Sequence, residues 1–561
     1  MIRCRCLGIL FLFVLLSLAW RAWGQAPPGP AEQRGELEAS QTTVTPGFNR
    51  EPPERYLSDA PPALSPEEVE RRQDALRRTH LPGPPLPVEP HLRPEALQPT
   101  SPPTPLPWPA ELSPPSEPAP ALSPPSEPAQ DIIFFQNQDL GGGAPSSTTG
   151  LINEPSVANS GTVVFMTGNW YAASSTDGGQ TFTYVNPYTG PFPPPIPTSP
   201  SFCCDQVVIY APSVNAIFWL QNYDRTSAHG NVHRINVDQG ANGTWDCFYD
   251  FSPQALPGAS PGDWFDWQDL VLGSNSLYHT ANVFNQVGDL TRTVIQRLPL
   301  SQMAACVPRS MINVFNVFSS ASSALSFFRA THGAGTTIYW GAHVSTSTLR
   351  IFGLAEGCSS VSCISINDRS VDPWIESNRV SQPSTCPGPD NLDWCGRSTG
   401  NILGAYVANG VIGFLWNATQ GGGFPYPHVR FARFRESDRS LLSQGQIWNP
   451  RFAFLYPSVA VNSRGHLGGT ILTGGGDFFP SCNAWIADDI NGGGLEPLDL
   501  HNVVSGTSGP VENVSGDYLT ARPHAVFPNT WIGTCFSLQG GGRNTNARPR
   551  FVWFGRQRDT P

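Results

Sequence analysis

From Asp131 onward the chain alternates short apolar runs with polar punctuation. AIFWLQNY (216–223), SLYHTANVF (276–284), TIYWGAHV (337–344), VIGFLWNAT (411–419) and TWIGTCFSL (530–538) are strand-length runs. They are rich in β-branched and aromatic side chains and are set off by Gly, Asn, Asp or Ser. Few segments carry a helical period, so the pattern predicts an all-β fold. Each long run follows a shorter one with a polar or aromatic head. The heads are Glu154 (EPSVA), Asp205 (DQVVIY), Gln268 (QDLVLG), Phe328 (FRATHG), Arg397 (RSTGNILGAYV), Tyr456 (YPSVAV) and Asp517 (DYLTAR). Their mean step is about 60 residues, slightly above the length of a four-stranded repeat. The spacing predicts a seven-bladed β-propeller over residues 131–561, with the headed runs as inner strands. Six blades is the alternative. The orphan strand Asp131-Ile132-Ile133-Phe134-Phe135 is expected to pair with the last blade near Arg550 to Phe554, which removes an exposed edge.

The first repeat is the most legible. After inner, second and third strands comes Ser175-Thr176-Asp177-Gly178-Gly179-Gln180-Thr181-Phe182. Asp177 is placed to accept from turn N–H groups, the glycines allow positive φ, and Phe182 returns to the core. This Ser-x-Asp-x-Gly-x-Thr-Phe pattern resembles the Asp box (BNR repeat) of the sialidase-like propellers. In that family the box marks the fold and lies away from the active site, so the single good copy here bears on architecture.

Upstream of residue 131 the chemistry changes. Arg3 and Arg5 precede an apolar run from Leu7 to Trp20, and Ala22-Trp23-Gly24 supplies the small residues of a cleavage site, so residues 1–24 read as a signal peptide. The run is short for a membrane span, and the product is expected to be secreted, with no span after cleavage. Residues 25–130 hold about half of the 58 prolines. They read as a disordered linker that buries too little apolar area to offset its ordering entropy. Leu112 to Ala119 recurs as Leu122 to Ala129, an extended polyproline II spacer. A short helix is expected near 66–78, with Ser65 as cap, Pro66 at the first position and Glu68 completing a capping box. A pro-segment and a cell-wall spacer both remain open.

Charge and cysteine narrow the function. A net charge of −11 argues against nucleic acid as a partner. No lysine is present, which excludes a Schiff-base nucleophile. Of the 12 cysteines, Cys4 and Cys6 leave with the signal peptide, and disulfides are expected among the rest. Spacing favours Cys386–Cys395 and Cys358–Cys363, while Cys247–Cys306 and Cys482–Cys535 would join neighbouring blades. For Cys203-Cys204 the expectation is that each pairs elsewhere or stays reduced, because a ring between adjacent cysteines is strained. The other reading is a stiff ring just before Asp205. Zinc-type spacings are absent. No cofactor is expected, a structural Ca2+ is left open, and the chain is expected to be a monomer.

Inner strands deliver their heads to one mouth of the central channel, where propellers usually place function. The candidates there are Glu154, Asp205, Gln268, Asp269, Arg329, His332, Arg397, Tyr456, Asp517 and Tyr518. Hydrolysis of a glycosidic bond would draw on the carboxylates Glu154, Asp205, Asp269 and Asp517. The sialidase resemblance implies a tyrosine nucleophile and three arginines on a carboxylate, for which Arg329, Arg397 and Arg522 are nominated. The family's early Arg-Ile-Pro element is missing and residues 131–223 contain no arginine, so true sialidase activity is not expected. β-Elimination from a uronate would use Arg329 or Arg397 against the carboxylate, with His332 and Tyr518 taking the proton. Trp264 and Trp267, within Asp263-Trp264-Phe265-Asp266-Trp267, either stack on sugar faces or pack between blades. The reading is a carbohydrate-directed propeller, a lyase or hydrolase for a uronate-containing glycan. A non-enzymatic glycan-binding, adhesive or scaffolding propeller on a Pro-rich stalk is the alternative. Asn242, Asn417 and Asn513 head glycosylation sequons.

Overall fold

Seven antiparallel sheets follow one another along the chain in the computed structural model. It describes residues 37–48, 132–145, 148–150, 153–195, 201–226, 228–317, 329–377, 382–495, 498–511, 515–540 and 547–560. The signal peptide, the helix near 66–78, Phe328 and Asn513 lie outside the described residues.

The blades occupy residues 156–185, 202–251, 264–317, 329–370, 402–447, 453–504 and 521–556. We number them 1 to 7. Seven blades is therefore the count. The fourth has the shortest inner segment: Ala330 bridges Trp340, and the Thr331 N–H donates to the Tyr339 carbonyl at 2.9 Å. Ring closure follows the sequence expectation. Ile132–Asp139 pairs antiparallel with Ala547–Arg556, from Ile132↔Arg556 to Asp139↔Arg550, and becomes the outer strand of blade 7.

Apolar side chains fill the wedges between blades. Phe165 of blade 1 meets Trp219 and Trp245 of blade 2 at 4.9 and 5.1 Å. The Asp box forms as its residues dictate. Asp177 accepts from Gln180 N (2.9 Å), Thr181 N (3.0 Å), Thr181 Oγ1 (2.6 Å) and Ser175 Oγ (2.7 Å). Gly178 and Gly179 take φ of 76° and 93°, and Phe182 packs on Phe551 at 5.7 Å. These bonds hold the Asp177 carboxyl well below its usual range.

Two expectations are corrected. The disorder expected from residue 25 to 130 does not extend over 37–48, because Leu37–Val44 is a fifth strand on the outer edge of blade 3. Gln41 to Thr45 is a run of β formers uninterrupted by proline until Pro46. Cys203 and Cys204 are bonded to each other, beside the two pairs that spacing favoured and the two named as joining neighbouring blades. Register shifts lie on both sides of Cys204. The strand there loses the alternation that sends adjacent side chains to opposite faces. The disulfides fit an oxidising compartment. Among the described residues no helix is long and apolar enough to cross a membrane.

Candidate functional site

Glu154, Asp205, Arg397 and Asp517, from four inner-strand heads, come together, and the backbones of several heads are unusual. Asp205, Trp267 and Tyr456, from blades 2, 3 and 6, have φ of 35°, 56° and 59°. None is glycine, and such conformations cost about 1–3 kcal/mol each. The strands are irregular there, with register shifts between Cys204 and Gln206 and between Asp266 and Asp269. Bulges of this kind re-aim side chains.

What they aim is a buried acidic cluster. Glu154 is fully buried, and Asp205, Asp266 and Asp517 are each 2% exposed. Arg397 clamps Asp517 with two bonds, Nε to Oδ1 at 3.1 Å and a second from the terminal nitrogen to Oδ2. Among the described residues no N–H or hydroxyl donor reaches either Glu154 oxygen. The carboxyl that faces Glu154 is Asp205, which also reaches Asp266. Burial, then the charges of Asp205 and Asp517, push Glu154 well above the usual carboxylate range, and Arg397 offsets only part of this. Burial also raises Asp205, while the bonds from Glu154 and Asp266 oppose the rise. Burial thus disfavours charge on both carboxyls, and Glu154 is raised well above its usual range.

A second group lines the channel axis. Asp269, Arg329, His332, Ser458, Tyr518 and Arg522 border a cavity of about 20 Å³, room for about one water and too small for a sugar. Arg329 donates to the Gln268 carbonyl at 2.7 Å and lies 3.8 Å from Asp269. Its guanidinium sits 4.5 Å from the Tyr518 ring centre and 5.2 Å from that of Trp267. Its second terminal nitrogen has no acceptor among the described residues. Burial, followed by the charges of Glu154 and Asp205, drives the Tyr518 phenol upward, so it stays protonated. Burial, with Arg522 and Arg329 nearby, keeps His332 neutral. His332 Nε2 lies 3.4 Å from Arg522.

The candidates thus sort into groups. Glu154, Asp205, Arg397 and Asp517 form one cluster. Asp269, Arg329, His332, Tyr518 and Arg522 line the axis. Gln268 joins the two, donating to the Asp205 carbonyl at 2.7 Å, and Trp267 packs edge-on to Tyr518 at 5.9 Å. Tyr456 stands beside them, its hydroxyl donating to the Ser515 carbonyl at 3.1 Å. The tryptophans are not open stacking platforms, since Trp264 and Trp267 are each 5% exposed. Trp264 stacks on Phe284 at 4.9 Å beneath Arg225. Asn417 is fully buried and accepts from Tyr456 N, so it is no glycan acceptor.

Two residues were missed. Asp266 was visible as an acid between aromatics. Arg225, whose charge interacts with Asp266, is the first arginine after residue 131, and that placement was its only signal. Among the described residues two groups have metal-ligand proximity, Cys386/Asp393/Cys395 and His466/Asp488/Asp489. Neither fits a metal. The first pair of sulfurs is a disulfide, and Arg556 and Arg558 already hold the two aspartates of the second.

No protein-family model matches the chain, and no curated protein matches it in sequence. Solved structures do align. The α-L-arabinofuranosidase Arb93A of Fusarium graminearum aligns at 9% identity and TM-score 0.36, over 75% of this chain and 97% of its own. An α-L-arabinanase of Penicillium chrysogenum aligns at 9% and 0.35, over 75% and 98%. The NanB sialidase of Streptococcus pneumoniae aligns at 9% and 0.36, over 66% and 70%. The likeness is one of fold, and it says nothing of what this chain binds.

Proposed function

We propose that the protein is an exported glycoside hydrolase that acts on a glycan at the inner-strand mouth, with Glu154 as proton donor. The observation that carries this is the Glu154–Asp205 pair. Glycosidic cleavage needs a carboxyl held protonated at neutral pH as proton donor, and burial with the charges of Asp205 and Asp517 raises Glu154 well above its usual range. Glu154 protonates the leaving oxygen as the glycosidic C–O bond breaks, and a water adds to the anomeric carbon, its proton restoring the carboxyl pair. Asp205, with Asp266 and Asp517 behind it, faces the positive charge that develops on the sugar. Arg397 fixes Asp517 with its two bonds.

The buried Arg329 nitrogen without an acceptor among the described residues supports an acidic sugar, because it leaves a donor for a uronate carboxylate once the site opens. Elimination is less favoured than hydrolysis. Tyr518 is a protonated phenol and His332 faces a cation, so neither is poised to take a C5 proton. One observation favours a binding or scaffolding propeller instead. Glu154, Asp205, Arg397 and Asp517 are all nearly inaccessible, so proton transfer requires the mouth residues to part.

The test is to incubate the full chain with neutral and uronate-containing polysaccharides, following reducing ends and the ultraviolet absorbance of unsaturated products. New reducing ends without that absorbance, lost in Glu154→Gln, are expected. Absorbance that survives in Glu154→Gln would establish elimination. Binding without product would establish the second reading.

A further inference from the structure

We propose that the outer face of blades 2 and 3 is an acceptor site for an extended peptide strand, whose resident ligand is this chain's own segment 37–48. Leu37–Val44 pairs antiparallel with Arg309–Val317 over eight consecutive residues, from Leu37↔Asn316 to Val44↔Arg309. The segment then crosses to blade 2. Gly47 donates to the Phe248 carbonyl at 2.8 Å and accepts from the Phe248 N–H at 3.0 Å. One short peptide thus bridges the outer strands of two blades.

The site reads side chains as well as backbone. Val44 is 8% exposed, within the apolar cluster that fills the wedge between these blades. A Cβ on Gly47 would fall inside the Phe248 ring. That ring has no easy retreat. The Arg234 guanidinium lies 3.8 Å from its centre and Phe192 packs against it at 4.9 Å. Arg234 is itself fixed by two bonds to Asp250, at 2.7 and 2.8 Å. The main-chain ladder supplies affinity, while the Val44 pocket and the Gly47 slot supply selectivity, which is the logic of strand addition to a sheet edge.

The acceptor is anchored by bonds that do not involve its occupant. Cys247–Cys306 ties blade 2 to the stretch leading into Arg309–Val317, and the Tyr249 hydroxyl donates to the Val307 carbonyl at 3.1 Å. The ring closes through Ile132–Asp139 and does not need the segment for closure. Residues 37–48 are joined to it only through 49–131, so docking is intramolecular binding at a raised local concentration. Cleavage within 49–131 would leave the N-terminal fragment seated, as a two-chain protein.

The experiment uses the full chain and its Gly47→Leu variant, with near-ultraviolet circular dichroism to verify the ring fold in both. In the variant, amides of 309–317 should exchange at least about ten-fold faster. A labelled synthetic peptide of residues 36–49 should bind the variant saturably. It should bind the wild-type chain, occupied in cis, at least about ten-fold more weakly. The same peptide carrying Gly47→Leu should not bind. Equal exchange in both chains with no peptide bound by either would overturn the proposal. So would equal binding to both chains, or faster exchange without peptide binding, which would mean a strand that docks only in cis. Independently, wild-type protein nicked within 49–131 should keep its N-terminal fragment through gel filtration at micromolar concentration. Separation of the fragment there would also overturn it.

Discussion

Glu154 shows how much one residue's surroundings decide. A carboxyl with no N–H or hydroxyl donor among the described residues, facing one aspartate and near another, stays neutral because both burial and its neighbours disfavour charge. Its folded pKa lies above its unfolded one, so the stability it contributes is present at low pH. That stability is lost as pH rises from the ordinary Glu value through the raised one. Glutamine mimics the protonated form, neutral and of the same size. Glu154→Gln should therefore melt with wild type near pH 4 and above it at pH 8. If the hydrolase reading holds, the same variant should lose about 10²–10⁴-fold in kcat, the usual worth of a general acid. Thermal melts across pH and initial rates check the two halves separately. A variant that gains alkaline stability without losing turnover would leave the carboxyl pair in place and remove its catalytic role.

At the scale of the element, local chemistry was legible and distant partners were not. The Asp box could be read because its bonds close within a few residues: Ser175, Asp177, Gln180 and Thr181 supply both sides. Asp177→Ala removes an acceptor from two turn N–H groups and should cost about 1–2 kcal/mol, as loss of a capping side chain does. Asp177→Asn keeps the Oδ1 acceptor and should cost less, with urea denaturation as the measurement. The inner-strand heads were legible for the same reason, since a polar residue opening each apolar run repeats along the chain. By contrast, the strand Leu37–Val44 depends on an edge at 309–317, far along the chain. Its own composition carries no sign of that edge. Whether Trp264 stacks on a sugar or packs between blades is decided by Phe284 and Arg225, which cover it. The Cys203–Cys204 bond depends on a break in strand register, which residue type alone does not show.

At the scale of the whole molecule, the wedges between blades hold histidines that must stay neutral. His233 and His279 lie in the wedge between blades 2 and 3, fully buried, their nitrogens 2.9 Å apart, with Gln296 2.7 Å from the far side of His279. Burial pushes His279 down to about 4 and His233 well below its usual value. Between blades 4 and 5 His343 is pushed to about 3 by burial and then Arg430, amid Trp374 and Trp416. His428 is likewise pushed to about 3, and in blade 7 His524, stacked on Trp553, falls to about 4. A folded pKa below the unfolded value gives stability that is present above about 6.5 and lost as pH falls toward the folded values. These groups sit in several wedges, so their losses add across the ring, whereas Glu154 acts at one mouth and in the opposite sense. The histidines should therefore dominate on the acid side. The melting temperature of the full chain should fall continuously between pH 6.5 and pH 4, and His279→Gln should flatten part of that fall by removing one group that must remain uncharged. A melting temperature flat across this range would mean that the wedges admit water and that the blades are less tightly joined than their packing indicates.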